Sequence, residues 1–180
     1  MKPAVYLAGK IGKTDWRHDL VPTLRGHVWA DGPIDAGDFL YCGPFFVSCD
    51  HACNHRPGSH GVAAGCTGQQ AEFTRSDVVK QNNQALDDAD VVLAFINSPD
   101  CYGTLHELGW VVRAGKRVAV VFAPGMPVDD FWYVSEQADA VYTEQPAEAL
   151  PHLLTLELCE LENERRRGQR PDAPGSVSDA

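Results

Sequence analysis

Ala89-Asp90-Val91-Val92-Leu93-Ala94-Phe95-Ile96 runs into Asn97-Ser98-Pro99-Asp100-Cys101-Tyr102-Gly103 and then into Thr104-Leu105-His106-Glu107-Leu108-Gly109. The first stretch is nearly continuous in apolar residues, as a strand must be when helices cover both faces of a parallel sheet. The polar loop after it leads to a helix predicted from Thr104 to about Ala114, stopped by Gly115. Lys116 and Arg117 then lead into a second wholly apolar strand, Val118 to Phe122. Strand, loop, helix and strand in that order make a βαβ unit.

The same alternation extends in both directions. Ala4 to Ala8 reads as a first strand, followed by Gly9 and a polar loop through Lys10, Gly12 and Lys13. A helix capped by Thr14 or Asp15 is predicted from about Trp16 to Arg25. Phe39 to Ser48 holds a further strand. Ser76 to Asp88 carries Val78, Val79, Ala85 and Leu86 at helical spacing behind Ser76 or Asp77 as N-cap. A short helix (Asp129 to Glu136), a short strand (Ala140 to Thr143) and a last helix (Pro146 to about Glu164) complete the pattern. The fold class is therefore α/β: a Rossmann-like, flavodoxin-like three-layer sandwich around a central parallel sheet of about five strands. Residues 1–164 form one domain, and 165–180, with three consecutive Arg and then Pro, Gly, Ser and Asp, read as a disordered tail.

The 180 residues are 44% hydrophobic and 22% charged, enough apolar side chain for one real core and too much for a disordered chain. No apolar run approaches the ~20 residues that span a bilayer, and the N-terminus lacks a signal-peptide profile, so a soluble cytoplasmic protein is expected. The net charge of −10 repels polyphosphate, which argues against a nucleic-acid polymer as partner, and with no spanning apolar run no membrane partner is expected either. A small anionic nucleotide remains compatible, because a few local donors can outweigh the global field.

Four of the six cysteines, Cys42, Cys49, Cys53 and Cys66, share residues 42–66 with His51, His55 and His60. The spacings Cys-x6-Cys-x3-Cys and His-x3-His-x4-His do not match paired CxxC knuckles, and no metal or other cofactor is predicted. Three readings of this loop stay open. It is a structural zinc site, a packed loop of small buried thiols, or an active-site loop in which Asp50, His51 and His55 contact substrate; its position after a strand favours the last.

In an open α/β sheet, ligands bind beyond the carboxyl ends of the strands. That rule selects the loop after Leu7, the Cys/His loop, the loop from Asn97 to Thr104 and the turn after Phe122. Glu107 stands out, one turn into the helix predicted to open at Thr104. Thr104 and Glu107 have capping-box spacing, so the bland reading is a carboxylate that stabilises the helix start. Asn97, Asp100, Tyr102 and Gly103 beside it supply an amide, a carboxylate, a phenol and an open backbone. Tyr6 and Trp16 flank the first loop, where either could stack on a base or simply fill the core. Gly9 would let a ligand approach the strand end. Cys101 as a nucleophile is disfavoured, because spacing places no His-Asp relay beside it.

Tyr6-Leu7-Ala8-Gly9 with Asp15-Trp16-Arg17, Ala89-Asp90-Val91-Val92 and above all Gly103-Thr104-Leu105-His106-Glu107-Leu108-Gly109 before Gly115-Lys116 resemble the nucleoside 2-deoxyribosyltransferase-like superfamily over residues 4 to about 123. That resemblance implies cleavage or transfer of the N-glycosidic bond of a nucleoside or nucleotide, with Glu107 attacking the anomeric carbon as retaining glycosidases do. A helix N-terminus would keep such a carboxylate charged and reachable.

The resemblance also implies a base-side acid at the position of Asn82. An amide cannot donate a proton as a general acid, so Asp100, Asp50 or a His would have to act instead. The expected site is thus Glu107 and Asp100 for catalysis, with Tyr6, Gly9, Lys10, Asp50, His51, His55, Asn82, Asn97, Tyr102, Gly103 and Thr104 binding substrate. Two alternatives remain: a nucleotide-sensing module without turnover, and a nicotinamide dinucleotide hydrolase whose phosphates would need Lys10, Lys13 and Arg17. A homodimer or higher homo-oligomer is expected, with Phe131, Trp132 and Tyr133 as a candidate contact surface.

Overall fold

The computed structural model describes residues 2–11, 15–24, 33–44 and 75–168. Six strands form one sheet: β1 (Ala4–Gly9), β2 (Ile34–Asp35), β3 (Leu40–Gly43), β4 (Val91–Ile96), β5 (Arg117–Phe122) and β6 (Ala140–Tyr142). The helices are α1 (Arg17–Leu20), α2 (Arg75–Asp88), α3 (Tyr102–Arg113), α4 (Trp132–Ser135) and α5 (Pro146–Gly168). Strand order is β2-β3-β1-β4-β5-β6. The last five in that order run parallel, and β2 pairs antiparallel with β3 at the edge. The parallel α/β sandwich expected from the sequence is therefore present, with one additional edge strand.

Alternation along the strands divides the core into two layers. Val5, Leu7, Val91, Leu93, Phe95, Ala119 and Val121 pack on one face with Ala149, Leu150, Leu153 and Leu154 of α5. Tyr6, Ala8, Val92, Ala94, Ile96, Val118, Val120 and Phe122 pack on the other with Ala85 and Leu86 of α2 and Leu108 and Val111 of α3. All six residues of β4 are buried, and each large aliphatic side chain so enclosed contributes roughly 1.5–3 kcal/mol.

Several element boundaries differ from the sequence expectation for identifiable reasons. Within the helix predicted from Trp16 to Arg25, the described residues show only the four-residue α1, because Pro22 lacks an N–H, and then a 3-10 turn over Pro22–Leu24; Arg25 lies outside the described residues. The helix bearing Glu107 opens at Tyr102, two residues before Thr104, and its N-cap Cys101 makes no side-chain cap bond. Val79, predicted on the apolar stripe of α2, is exposed, whereas Val78 is buried. The predicted helix over Asp129 to Glu136 is a 3-10 turn, Val128–Phe131, followed by α4. The last helix runs to Gly168, past the predicted start of the tail at 165. Residues 169–180, the Cys/His loop from 45 to 66 and the candidate cap Thr14 lie outside the described residues. Among the described residues, no helix is long and apolar enough to cross a membrane.

Candidate active site

The chain leaves β1 for β3 on one side and then returns to β4 on the other. The carboxyl ends of β1 and β4 thus flank the point where strand order reverses, the usual ligand position in such sheets. A cleft of about 290 Å³ opens there, lined by Gly9, Lys10, Ile11, Val78, Asn82, Asp100, Cys101, Tyr102, Gly103, Thr104 and Glu107. A larger groove, about 440 Å³ between α3 and α4, is lined by Leu105, Leu108, Val112, Tyr133 and Val134 among others and has no carboxylate. It offers no nucleophile.

Glu107 lies in the second turn of α3, so its link to the helix start is weaker than the capping-box reading supposed. What holds it is Tyr6, 101 residues earlier in the chain, whose hydroxyl donates to Glu107 Oε1 at 2.7 Å. Burial pushes the Glu107 carboxyl above its ordinary value, while the Tyr6 hydrogen bond and the nearby charges of Arg17 and His106 pull it back down. The phenol of Tyr6 is held well above its ordinary value, first by burial and then by the charge of Glu107, so it stays protonated and able to donate. Tyr6 is 0% exposed and has no free face for a nucleobase. The stacking role expected of it is replaced by a positioning role.

Two glycines make this arrangement possible. A side chain at Gly43 would meet Tyr6 Cε2 at 2.8 Å and Ala85 Cβ at 3.1 Å, so only glycine leaves room for the Tyr6 ring. An irregularity in the β1–β3 register, which pairs Val5 with Tyr41 and Tyr6 with Gly43, brings the two together. At Gly9, a Cβ would lie 3.1 Å from Phe95 O, 3.2 Å from Trp16 Nε1 and 3.3 Å from Arg17 Nη2. The close approach at Gly9 is therefore made by the protein's own Trp16 and Arg17.

Arg17 is fully buried. Its guanidinium donates to both carboxylate oxygens of Asp15 at 2.9 and 3.0 Å, to Leu7 O at 2.6 Å and to Gly9 O at 2.8 Å. A buried charge persists only with such complete pairing. Arg17 clamps the end of β1 and cannot serve as the phosphate-binding group expected of it. Trp16 packs edge-on against Phe95 with ring centroids 5.3 Å apart and covers the core, itself partly buried, at this strand end.

At the cleft mouth, Lys10 Nζ lies 2.6 Å from each carboxylate oxygen of Asp100, and Ser98 Oγ also donates to that carboxylate. These hydrogen bonds, Lys10 first, hold the Asp100 carboxyl below its ordinary value. Asp100 is an acceptor here, poorly suited to the proton-donating role expected of it. The dinucleotide alternative loses support with it, since Lys10 is engaged and Arg17 buried, while Lys13 lies outside the described residues.

Asn82 lines the cleft from α2, and its Oδ1 is buried with no hydrogen-bond partner. Thr104 is buried, Gly103 is open, and Tyr102 is 76% exposed at the rim. Asn97 is exposed and is not among the cleft-lining residues. Cys101 is buried, and burial pushes its thiol up, away from nucleophile chemistry. Asp50, His51 and His55 lie outside the described residues. Among the described residues, no group of His, Cys, Asp and Glu is arranged to hold a metal ion.

Sequence reasoning did not assign the roles of Gly43, Ser98, Ile11 and Val78. For Val78 the helical stripe was a usable signal; for Gly43 and Ser98, local sequence carries none.

Residues 2–125 match the family described as "Nucleoside 2-deoxyribosyltransferase like". The chain belongs to that family. The match spans β1 through β5 and includes Tyr6, Asn82, Asp100 and Glu107. Members of the nucleoside 2-deoxyribosyltransferase-like family are generally enzymes acting on nucleosides. No curated protein matches the chain. Among solved structures it is similar to a crystal structure of an Aquifex aeolicus Era variant bound to GDP and AlF4−, at 14% identity and a TM-score of 0.45, covering 86% of this chain and 57% of that one. The chain thus spans little more than half the length of that structure.

Proposed function

We propose that this protein cleaves or transfers the N-glycosidic bond of a nucleoside or nucleotide, with Glu107 as the nucleophile. The observation that carries this reading is the part-buried Tyr6–Glu107 hydrogen bond at the cleft between β1 and β4, within the family match. A carboxylate oxygen of Glu107 attacks C1′, the bond from C1′ to the base nitrogen breaks with its electron pair going to the base, and a glycosyl ester remains. Water or a second base then attacks C1′ and returns the carboxylate. Tyr6 holds Oε1, so Oε2 is the oxygen left for C1′. Donation by Tyr6 favours the ionised carboxylate against the cost of burial. Asp100, kept ionised by Lys10, accepts hydrogen bonds from sugar hydroxyls, and Asn82 meets the base.

This reading places the protein in the cytoplasm as a homodimer or higher homo-oligomer. Of the three aromatics expected at the contact, Phe131 is buried while Trp132 and Tyr133 are exposed and available. Incubation with a panel of nucleosides and nucleotides, read by chromatography of the free base, tests the activity. Glu107→Gln should abolish base release while ligand affinity persists. Base release that survives this substitution would remove Glu107 from the chemistry.

A further inference from the structure

Beneath the cleft, ionisable side chains from four parts of the chain converge. Asp15 and Arg17 are buried at the start of α1, and Tyr6 and Tyr41 are fully buried on β1 and β3. Glu107, half-buried on α3, joins the group through the hydrogen bond it accepts from Tyr6. Arg17 is not among the residues that line the cleft, so it acts from inside the fold. Its guanidinium donates to Leu7 O and Gly9 O, the carbonyls on either side of Ala8 at the end of β1, and Gly9 does line the cleft.

The charge of Arg17 reaches the same residues as its hydrogen bonds support. Burial raises the Tyr6, Tyr41 and Glu107 groups above their ordinary values, and in each of the three the Arg17 charge works against burial. Asp15 holds that cation at the same time, accepting from it at both carboxylate oxygens.

We propose that Arg17 is a positioning residue of the active site, a counter-charge inside the fold that Asp15 and Glu107 share. Its bearing on turnover rests on the N-glycosidic reading above. A guanidinium suits the place, because its planar set of donors bonds carbonyls and a carboxylate together while it stays charged at every working pH. What reaches Glu107 is the part of the charge that Asp15 leaves unneutralised. Removing the cation would leave the Asp15 charge bare and disfavour a second carboxylate nearby. Removing the charge of Asp15 would leave the guanidinium less neutralised and favour one. Both changes break the same buried pair and loosen the fold. Only their electrostatic effects on Glu107 differ in sign.

Among the described residues, the other titratable groups around Glu107 are His106 beside it on α3, Cys101 and Tyr102 at the start of that helix, and Lys10 with Asp100, which pair with each other at the cleft mouth. Neither substitution changes these groups.

Titration of the Glu107 carboxyl by carbon-13 NMR in the full chain tests the proposal, with the signal assigned by its loss in Glu107→Gln. Arg17→Gln should move the midpoint up by about one pH unit or more, and Asp15→Asn should move it down. Arg17→Lys keeps the charge without the fork and should stay closer to the parent than Arg17→Gln does. Any other pattern for Arg17→Gln and Asp15→Asn overturns the proposal, above all shifts of one sign, because lost packing alone would act alike in both. Should Arg17→Gln fail to fold, Asp15→Asn decides by itself: a lowered midpoint supports the shared counter-charge, and an unchanged or raised one overturns it. The acid limb of kcat/KM for base release should move in the same order. If no nucleoside or nucleotide is cleaved, the N-glycosidic reading falls, and the titration still decides whether Arg17 is the counter-charge of Glu107.

Discussion

Tyr6→Phe removes a single hydroxyl and leaves the ring where Gly43 and Ala85 enclose it. The lost interaction is a 2.7 Å hydrogen bond from a buried phenol to a half-buried carboxylate. Bonds to charged partners of this kind contribute about 1.5–3 kcal/mol, which corresponds to roughly ten- to hundredfold in an equilibrium. Donation by the hydroxyl favours ionised Glu107, so its loss pushes the carboxyl further up. The proposed nucleophile is then ionised only at higher pH. In a profile of kcat/KM against pH, the acid limb should move to higher pH. Activity below that limb should fall by roughly ten- to hundredfold, with the loss shrinking as the pH rises past it. An acid limb that stays in place, or that moves to lower pH, would refute the reasoning, because a hydroxyl acting only on packing would lower activity equally at every pH.

Gly43→Ala places a methyl group 2.8 Å from Tyr6 Cε2 and should cost about 1–3 kcal/mol in urea unfolding; by displacing the ring it should also shift the acid limb in the same direction as Tyr6→Phe. Arg17→Met strips the buried Asp15 of its guanidinium and should destabilise the protein by about 3–5 kcal/mol in the same assay, whereas a loss below 1 kcal/mol would show that the pair is not a clamp. Glu107→Gln should affect stability in a pH-dependent way. Because burial raises the folded carboxyl above its ordinary 4.5, the native state holds its proton more tightly than the unfolded chain, and stability falls as pH rises from about 4.5 through the raised value. The Gln variant should therefore be more stable than its parent at neutral pH, with the gain vanishing near pH 4 in thermal melts.

The elements legible in the sequence are those whose signal is local and strong. Val91–Ile96 and Arg117–Phe122 are apolar enough to require a sheet covered on both faces, and the loop after Ile96 places Glu107 at the ligand-binding end of that sheet. The two-residue β2 is too short to leave a pattern, and α1 ends where Pro22 forbids continuation, a signal present in the sequence but outweighed by the surrounding helical spacing. Glu107 was identifiable as a candidate; its partner was not. The contact with Tyr6 joins β1 to α3 across most of the fold, and Tyr6 on an apolar strand has the same local signature as any core aromatic. Arg17 reads as a surface cation because charged residues are seldom fully buried, and only the convergence of Asp15, Leu7 O and Gly9 O in space explains its position. Asp100 likewise reads as an acid until Lys10, 90 residues away, is found paired with it.

The most direct test of the central claim is to trap the glycosyl ester with a nucleoside bearing a 2-fluoro sugar, which slows breakdown of the intermediate more than it slows attack. After digestion, mass spectrometry should find the added mass of the fluorosugar on the peptide containing Glu107, together with one equivalent of free base. Stoichiometric release of base with the sugar attached to another residue would contradict the assignment of Glu107 as the nucleophile.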